Sequence, residues 1–523
     1  MSLIHSFAPL SPAEEKLLSQ AAGAERITLG DGEMPEAMEP SVCVRAELLR
    51  ALLMGGTEPE LTQKGLRLRG AWVQGTLDLQ GLDCAQDITL SACVMESGIN
   101  LVNAGLRGLH ISGCRTGAIA ADNAGFSGSV YLRGGSHVSG EVSLAGARIT
   151  GDLQLCDLRI TSKQQDAVFA PSMRVEGSVF LGNYPYADGE TTLETEGILF
   201  LASARVAHDV FLTNCAVSLT SDAPGSPVFG ATEEHGGDIA VSLARARIGG
   251  ILYLQNNQIN RGLVNLAGAE AARLTDEPAG PGANYPIRLD GFRYADFSRH
   301  TDTSPKARLE WLERRPEGMP FIAQPYEHLA GVLNSMGHRA DAQTVLMRKE
   351  QLLRAENRAL LAAQPGKAPR RWAMWLADWV LRVSIGYGFR PGRAIVFAVV
   401  LIAALGWFFD RAWHAGDMTP NAAPVLTSAP WIAATQEHPD NPGKFWSQPG
   451  EAGQDWETFN GYAYAADLVI PLVSLGQESA WAPSTSRSPL GRAGWWMRWF
   501  AKALGWMVTA LAAAALTGVI RQD

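Results

Sequence analysis

The chain has 523 residues, a net charge of −9 and six cysteines, and 46% of it is hydrophobic. No CxxC or Cys/His spacing is present, so the cysteines argue for neither a zinc site nor a thiol redox centre, and nothing demands an oxidising compartment. The first residues lack the charged-then-apolar pattern of a secretory signal.

Residues 1–60 read as an N-terminal helical cap. Ser11-Pro12 supplies a cap residue and a proline for a first turn. Ser41 to Met54 is amphipathic through Val44, Leu48, Leu49 and Leu52. The acidic stretch from Gly30 to Glu39 reads as a solvated loop.

Over residues 61–300 a short phrase recurs: two β-type apolar residues one apart, a small residue three positions later, then an apolar residue and a glycine. It reads Leu77-Asp-Leu79…Leu82, Ile88-Thr-Leu90…Cys93, Ile99-Asn-Leu101…Ala104 and Leu109-His-Ile111…Cys114, and it returns as far as Val264-Asn-Leu266. The step is roughly ten to twelve residues, the signature of a repeat architecture. Each run is too short to be stable alone, so copies must stack. The expected fold is mainly β, a right-handed parallel β-helix (β-solenoid) with two units per coil. An all-β sandwich competes, but the return of the small-residue slot at one phase favours the solenoid. Glycines follow the strands (Gly75, Gly81, Gly98, Gly105, Gly117, Gly128, Gly140, Gly151, Gly250), where a positive φ costs them little.

Cys93, Cys114 and Cys215 fall in the slot that elsewhere carries Ala104, Ala147, Ala204 and Ala246, and so read as packing. Asp78, Asp87, Asp152, Asp209 and Asp238 are the acids a carbohydrate-active β-helix would use; beside corner glycines they read as solvated turn residues. Interruptions at 183–196, 218–237 and Leu274 to Asn284 read as loops, a place for a binding surface or simply tolerated insertions.

Residues 301–366 change to a 3.6-residue period. Tyr326, Leu329, Leu333 and Met336 define one helix ending at Gly337, and Ala340, Val345, Leu346, Leu352 and Leu353 a second, which together make a helical hairpin neck. Residues 367–393 form a basic, Trp-rich segment in which Arg370, Arg371, Arg390 and Arg393 interleave with Trp372, Trp375 and Trp379. Nucleic acid is one reading of such a cluster. Trp and Arg beside a long apolar run suit a bilayer interface better, so the lipid bilayer is the expected partner and nucleic acid is not.

Residues 394–410 and 495–520 read as transmembrane helices, the second entered by Trp495, Trp496 and Trp499 as an aromatic belt. The basic neck before the first span and Arg521 after the second place both termini in the cytoplasm by the positive-inside rule. Within the inter-span loop 411–494, residues 462–477 are apolar and too short to span. This segment either re-enters the membrane around Asp467, Pro471, Ser474, Gly476 and Gln477 or lies at the interface. The potassium-filter pattern is missing, and Val473-Ser-Leu-Gly-Gln477 is a remote echo of it.

Four stretches carry a resemblance: Leu68-Arg-Gly-Ala-Trp-Val-Gln-Gly-Thr-Leu-Asp-Leu79, Gln324-Pro-Tyr-Glu-His-Leu-Ala330, Gly386-Tyr-Gly-Phe-Arg-Pro-Gly-Arg393 and Leu468-Val-Ile-Pro-Leu-Val-Ser-Leu-Gly-Gln477. On them the chain resembles a bacterial family of uncharacterised membrane proteins with a pentapeptide-repeat-like or bactofilin-like β-helix and two C-terminal spans. The resemblance implies an inner-membrane setting, and relatives are sometimes labelled membrane-associated oxidoreductase. It brings no catalytic residue with it. The residues themselves hold no Gly-x-Gly-x-x-Gly, His-Glu-x-x-His, Gly-x-Ser-x-Gly or Walker loop, so no catalytic, cofactor or metal residue is expected and the reading leans away from an enzyme. The expected function is a membrane-tethered solenoid acting as a binding, scaffold or self-assembly module at the cytoplasmic face, through an unknown protein partner or its own copies. A two-span channel-like or sensor protein gated by the solenoid is the alternative, and an oxidoreductase rests on the label alone.

Overall fold

The computed structural model describes residues 6–23, 26–55, 60–219, 238–278, 284–362 and 392–516, together with 370, 372, 374, 375, 378, 379 and 382. The chain divides into two compact units, Met1–Val345 and Leu346–Asp523. About 29% of the described residues are strand and 33% helix. The expectation of a mainly β chain is therefore too broad: the strands are concentrated in the first unit.

Among the described residues that unit holds two large sheets of 15 and 16 strands, paired in parallel. Strands pair with a copy further along the chain. Leu66, Ile88, Leu109, Val130 and Leu153 stand in register across the first sheet. Leu77, Ile99, Ile119, Val142 and Val168 do so across the second. All ten are buried. Period-two alternation is the cause: in Val130-Tyr-Leu-Arg133 the two aliphatic residues are buried and the others point away. The repeat can be measured from bonds between copies. Cys93 N–H donates to Cys114 Sγ, 21 residues on, and Cys114 N–H to Ser136 Oγ, 22 residues on. The eleven-residue phrase is half of this repeat, alternating between the two sheets.

The corners explain the small residues. At one corner Asn103, Asn123, Gly146, Ser172, Ser203 and Arg245 all adopt left-handed φ between 56° and 66°. Their N–H groups reach the next copy, as in Asn123 to Ala145 O at 2.8 Å and Gly146 to Pro171 O at 2.9 Å. Ala104, Ala147, Ala204 and Ala246 follow this corner. Cys93, Cys114 and Cys215 belong to a different one, where each backbone N–H meets a side chain of the next copy: Cys114 Sγ, Ser136 Oγ and Asn257 Oδ1 respectively. The single slot read from sequence is two corners with the same size limit. All six cysteines are free thiols and five are buried. Glycines also divide. Gly75, Gly81, Gly98 and Gly140 have positive φ. Gly151 and Gly250 do not; there a Cβ would strike Ser129 Oγ and Asp209 Oδ1 of the preceding copy.

Helices cover both ends of the strand stack. α1 (Pro12–Gln20) begins with a capping box in which Glu14 N–H donates to Ser11 Oγ at 3.1 Å and Ser11 N–H to Glu14 Oε2 at 3.0 Å. α2 (Ala46–Met54) is shorter than the amphipathic stretch because Cys43–Arg45 extends the second sheet beside Trp72–Gln74. At the other end lie α3 (Pro305–Glu313) and α4 (Gln324–Ser335), with His328 Nε2 3.0 Å from the Tyr294 backbone nitrogen and oxygen. α5 (Arg339–Ala362) follows Gly337, whose φ is 89°. Of the three interruptions, residues 220–237 and 279–283 lie outside the described residues.

The second unit is helical. After α6 (Gly392–His414) come the short α7 (Ala423–Leu426), α8 (Ala429–Glu437) and α9 (Pro442–Trp446), then α10 (Gly461–Val469), α11 (Gln477–Ala480) and α12 (Pro489–Leu516). Met418–Pro420 and Trp481–Pro483 pair antiparallel. The core gathers Phe409, Tyr464, Ala465, Leu468, Trp481 and Ala501.

Candidate membrane-facing site

Among the described residues one helix, α6, is long and apolar enough to cross a membrane by length and composition. It is longer than the expected 394–410 because its helix continues through Trp413. Its apolar surface is divided. Leu405, Phe409 and Ala412 are buried in the core, while Ile395, Val396, Val399 and Val400 are exposed, Ile395 by 70%. Each such side chain costs about 1.5 kcal/mol or more to leave in water. The second expected span, 495–520, falls on α12, which starts at Pro489 and is described to Leu516; residues 517–520 lie outside the described residues. Two spans are thus not established by length and composition. α12 nevertheless exposes Trp496, Trp499, Phe500 and Trp506.

The helices meet through glycine. A Cβ at Gly406 would overlap Tyr462 of α10, Gly461 lies against Gly406 O, and Gly505 of α12 against Val469 O. Close approach through small residues is how helices associate where solvent gives no hydrophobic drive.

The segment 462–477 is a helix, a turn and the start of another helix. Asp467 and Gln477 face inward. Asp467 Oδ1 accepts Leu475 N–H and Oδ2 accepts Glu478 N–H at 3.0 Å. Gln477 accepts Asn460 N–H at 2.9 Å and donates to Thr458 O at 2.8 Å and Glu457 Oε1 at 3.1 Å. Glu478 receives Arg498 at 2.8 Å and also Lys502 from α12. These polar groups are spent on holding backbone and neighbouring helices. Pro471, Ser474 and Gly476 lie in the turn, Gly476 with φ 83°, beside the exposed Leu472 (79%), Val473 and Leu475. The segment thus presents an apolar tip on a polar frame.

Among the other expected interfacial residues, Arg370, Trp372, Trp375 and Trp379 are helical and the three indoles are exposed. Asp378 of the same stretch pairs with Arg358 at 2.8 Å. Arg393 stands in the first turn of α6, half-buried. Trp495 meets Trp496 edge-on at 4.9 Å and Trp499 at 6.2 Å. Arg371 and Arg390 lie outside the described residues.

The candidate acids Asp78, Asp87, Asp152, Asp209 and Asp238 do not converge on one site; Asp152 and Asp209 stand one above the other at a corner, linked through Ser178. Asp152 Oδ1 accepts Ser178 N–H at 2.9 Å, Ser178 Oγ accepts Asp209 N–H at 3.3 Å, and Asp209 Oδ1 accepts Ile251 N–H at 2.7 Å. This is a ladder of corner posts. Asp78 accepts Asn100 Nδ2 at 2.9 Å, Asp87 stands 3.9 Å from Arg107, and Asp238 pairs with Arg261. Among the described residues no group of three or more His, Cys, Asp or Glu is arranged to hold a metal ion. Sequence reasoning missed the ladder because its signal, Ser or Asp one repeat apart before an apolar strand, is spread over unequal steps of 26, 31 and 42 residues.

The fold and site define a parallel-sheet module joined to a helical unit with an exposed apolar face. The chain matches no family model, no curated protein and no solved structure.

Proposed function

We propose that the first unit is a right-handed β-solenoid, displayed as a binding, scaffold or self-assembly module at the cytoplasmic face of a bacterial inner membrane. α6 and α12 tether it as two spans, both termini are cytoplasmic, and the basic Trp-rich segment rests at the interface. The chain on this reading belongs with the bacterial membrane proteins it resembles. The observation that carries the reading is the exposed aliphatic face of α6, from Ile395 to Val400, on a helix of membrane-spanning length. Support for the solenoid comes from the parallel register at a repeat of 21 or 22 residues. Full-length protein expressed in a bacterium stays in the membrane pellet after alkaline washing; release into the supernatant overturns the tether.

One observation favours a channel-like variant. α10 is packed between α6 and α12, and its following turn presents Leu472 and Val473 outward, as a re-entrant segment would. Single-channel conductance from reconstituted, oligomeric protein supports that variant, and a silent monomer overturns it.

A further inference from the structure

The phrases Ala147-Arg-Ile149, Met173-Arg-Val175, Ala204-Arg-Val206 and Ala246-Arg-Ile248 place an arginine at the same outward position of successive strands. Arg148 stands opposite Arg174, Arg174 opposite Arg205, and Arg205 opposite Arg247. Neighbouring strands lie about 4.8 Å apart, so four guanidinium groups share a row about 14 Å long. All four are exposed. Glu270 interrupts the row 3.9 Å from Arg247, and the exposed Arg293 follows opposite it. Among the described residues, Arg148, Arg174 and Arg205 have no acid within ion-pair distance.

Like charges directly opposite each other on a sheet are destabilising. Nothing in the packing calls for them, since the burial on these strands comes from Ile149, Val175, Val206 and Ile248. The row stands out in a chain of net charge −9. Beside it runs a groove of about 580 Å³, floored by small residues such as Ala207, Gly249 and Ala272, with Glu176 at one side.

We infer that this arginine row binds a linear chain of phosphates, inorganic polyphosphate in class, laid across the strands. Guanidinium groups pair with phosphate through a two-pronged fork, and a ligand with charges in series neutralises each rung in turn. An open floor of small residues leaves room for a chain without side groups to lie along the guanidinium groups. Phe180, Phe211 and Tyr253 of the same sheet, six residues along from Arg174, Arg205 and Arg247, stack on one another at 4.7 and 4.3 Å. The outward positions beside the row, Thr150, Glu176, Ala207, Gly249 and Ala272, carry no aromatic side chain on which a base could stack, which argues against single-stranded nucleic acid. They also carry no exposed large apolar side chain to enter a bilayer.

The inference deepens the binding-surface reading and rests on it. Full-length protein in mild detergent is titrated with polyphosphate of defined length, with heparin, and with oligo-dT, at several salt concentrations. Polyphosphate binds with a log–log salt slope of about −3, four contacts at roughly 0.7 each. R174Q/R205Q weakens binding at least tenfold and lowers that slope by about half, whereas R115Q/R299Q, exposed arginines elsewhere, changes it less than twofold. Absence of binding, equal losses in the two double variants, or equal affinity for heparin or oligo-dT overturns the inference. If the protein keeps its membrane association and its β-sheet spectrum and yet ignores polyphosphate, the ligand alone is wrong. If membrane association is lost, the earlier reading fails.

Discussion

Arg308 and Asp276 form a bidentate ion pair, Nη1 to Oδ2 at 2.9 Å and Nη2 to Oδ1 at 2.7 Å, with side-chain exposures of 0% and 2%. The guanidinium also donates from Nε to Asp302 O at 2.7 Å and lies 4.2 Å from the centroid of the Phe297 ring. The pair ties α3 to the strand Glu270–Asp276 and so closes the end of the stack, which would otherwise be open to water.

Removing one partner leaves a buried charge alone. Arg308→Met therefore costs about 3–5 kcal/mol, while Arg308→Met combined with Asp276→Leu costs clearly less. Urea unfolding of the full chain, followed by the far-ultraviolet β-sheet signal, measures both. Equal losses from the single and double variants would contradict the assignment.

Glu14 is the corresponding anchor at the other end. Burial disfavours its charge, but the hydrogen bond from Arg45, with those from the Ser11 and Arg45 backbone, outweighs burial and holds its pKa below the ordinary value. A lowered carboxyl stabilises the fold above its unfolded pKa, and that stabilisation is lost as pH falls through the folded value. Glu14→Gln should therefore be destabilising at pH 7 and indistinguishable from the parent once both states are protonated. Ser11→Ala removes the cap and costs about 1 kcal/mol. Thermal midpoints across pH 2 to 7 check both.

Asp166 behaves in the opposite sense. Burial first, and the charge of Glu141 second, push its carboxyl up to about 7, and its Oδ1 is buried without a hydrogen-bond partner among the described residues. A raised acid pKa means that ionisation costs stability, beginning above the unfolded value near 4 and complete above about 7. Asp166→Asn should raise stability by about 2 kcal/mol at pH 8 and by little at pH 4. A gain that does not depend on pH would refute the assignment.

The corner posts make a fourth test. Asp152→Ala and Asp209→Ala each strand a backbone N–H and should each cost about 1–3 kcal/mol. Gly146→Ala forces a left-handed φ of 66° on a residue with a Cβ and should cost about 1–2 kcal/mol, while Gly125→Ala, with open space around it, should be neutral. Chemical denaturation of the four variants measures these differences; a costly Gly125→Ala with a silent Gly146→Ala would invert the corner geometry.

The strand faces were legible in the sequence because alternation in stretches such as Val130-Tyr-Leu132 needs only neighbouring residues. The two-unit repeat was legible for the same reason. What separates Cys93 and Cys114 from Ala104 and Ala147 was not, since both corners ask only for a small residue and the bonding partner is a repeat away. The Arg308–Asp276 pair, 32 residues apart across a change of period, leaves no local pattern. In the second unit the apolar run of α6 was plain. The inward use of Asp467 and Gln477 was not, because it depends on how the turn from Ile470 to Gly476 folds back.

The central claim is a sheet module held at the cytoplasmic face of a membrane by apolar helices. The most direct test is protease digestion of full-length protein in sealed vesicles of both orientations, read with antibodies to each unit. The account predicts that in inverted vesicles the first unit is cut from the membrane and α6 is protected, while in right-side-out vesicles the first unit is protected. A first unit cut only in right-side-out vesicles, or α6 degraded in both, would contradict it.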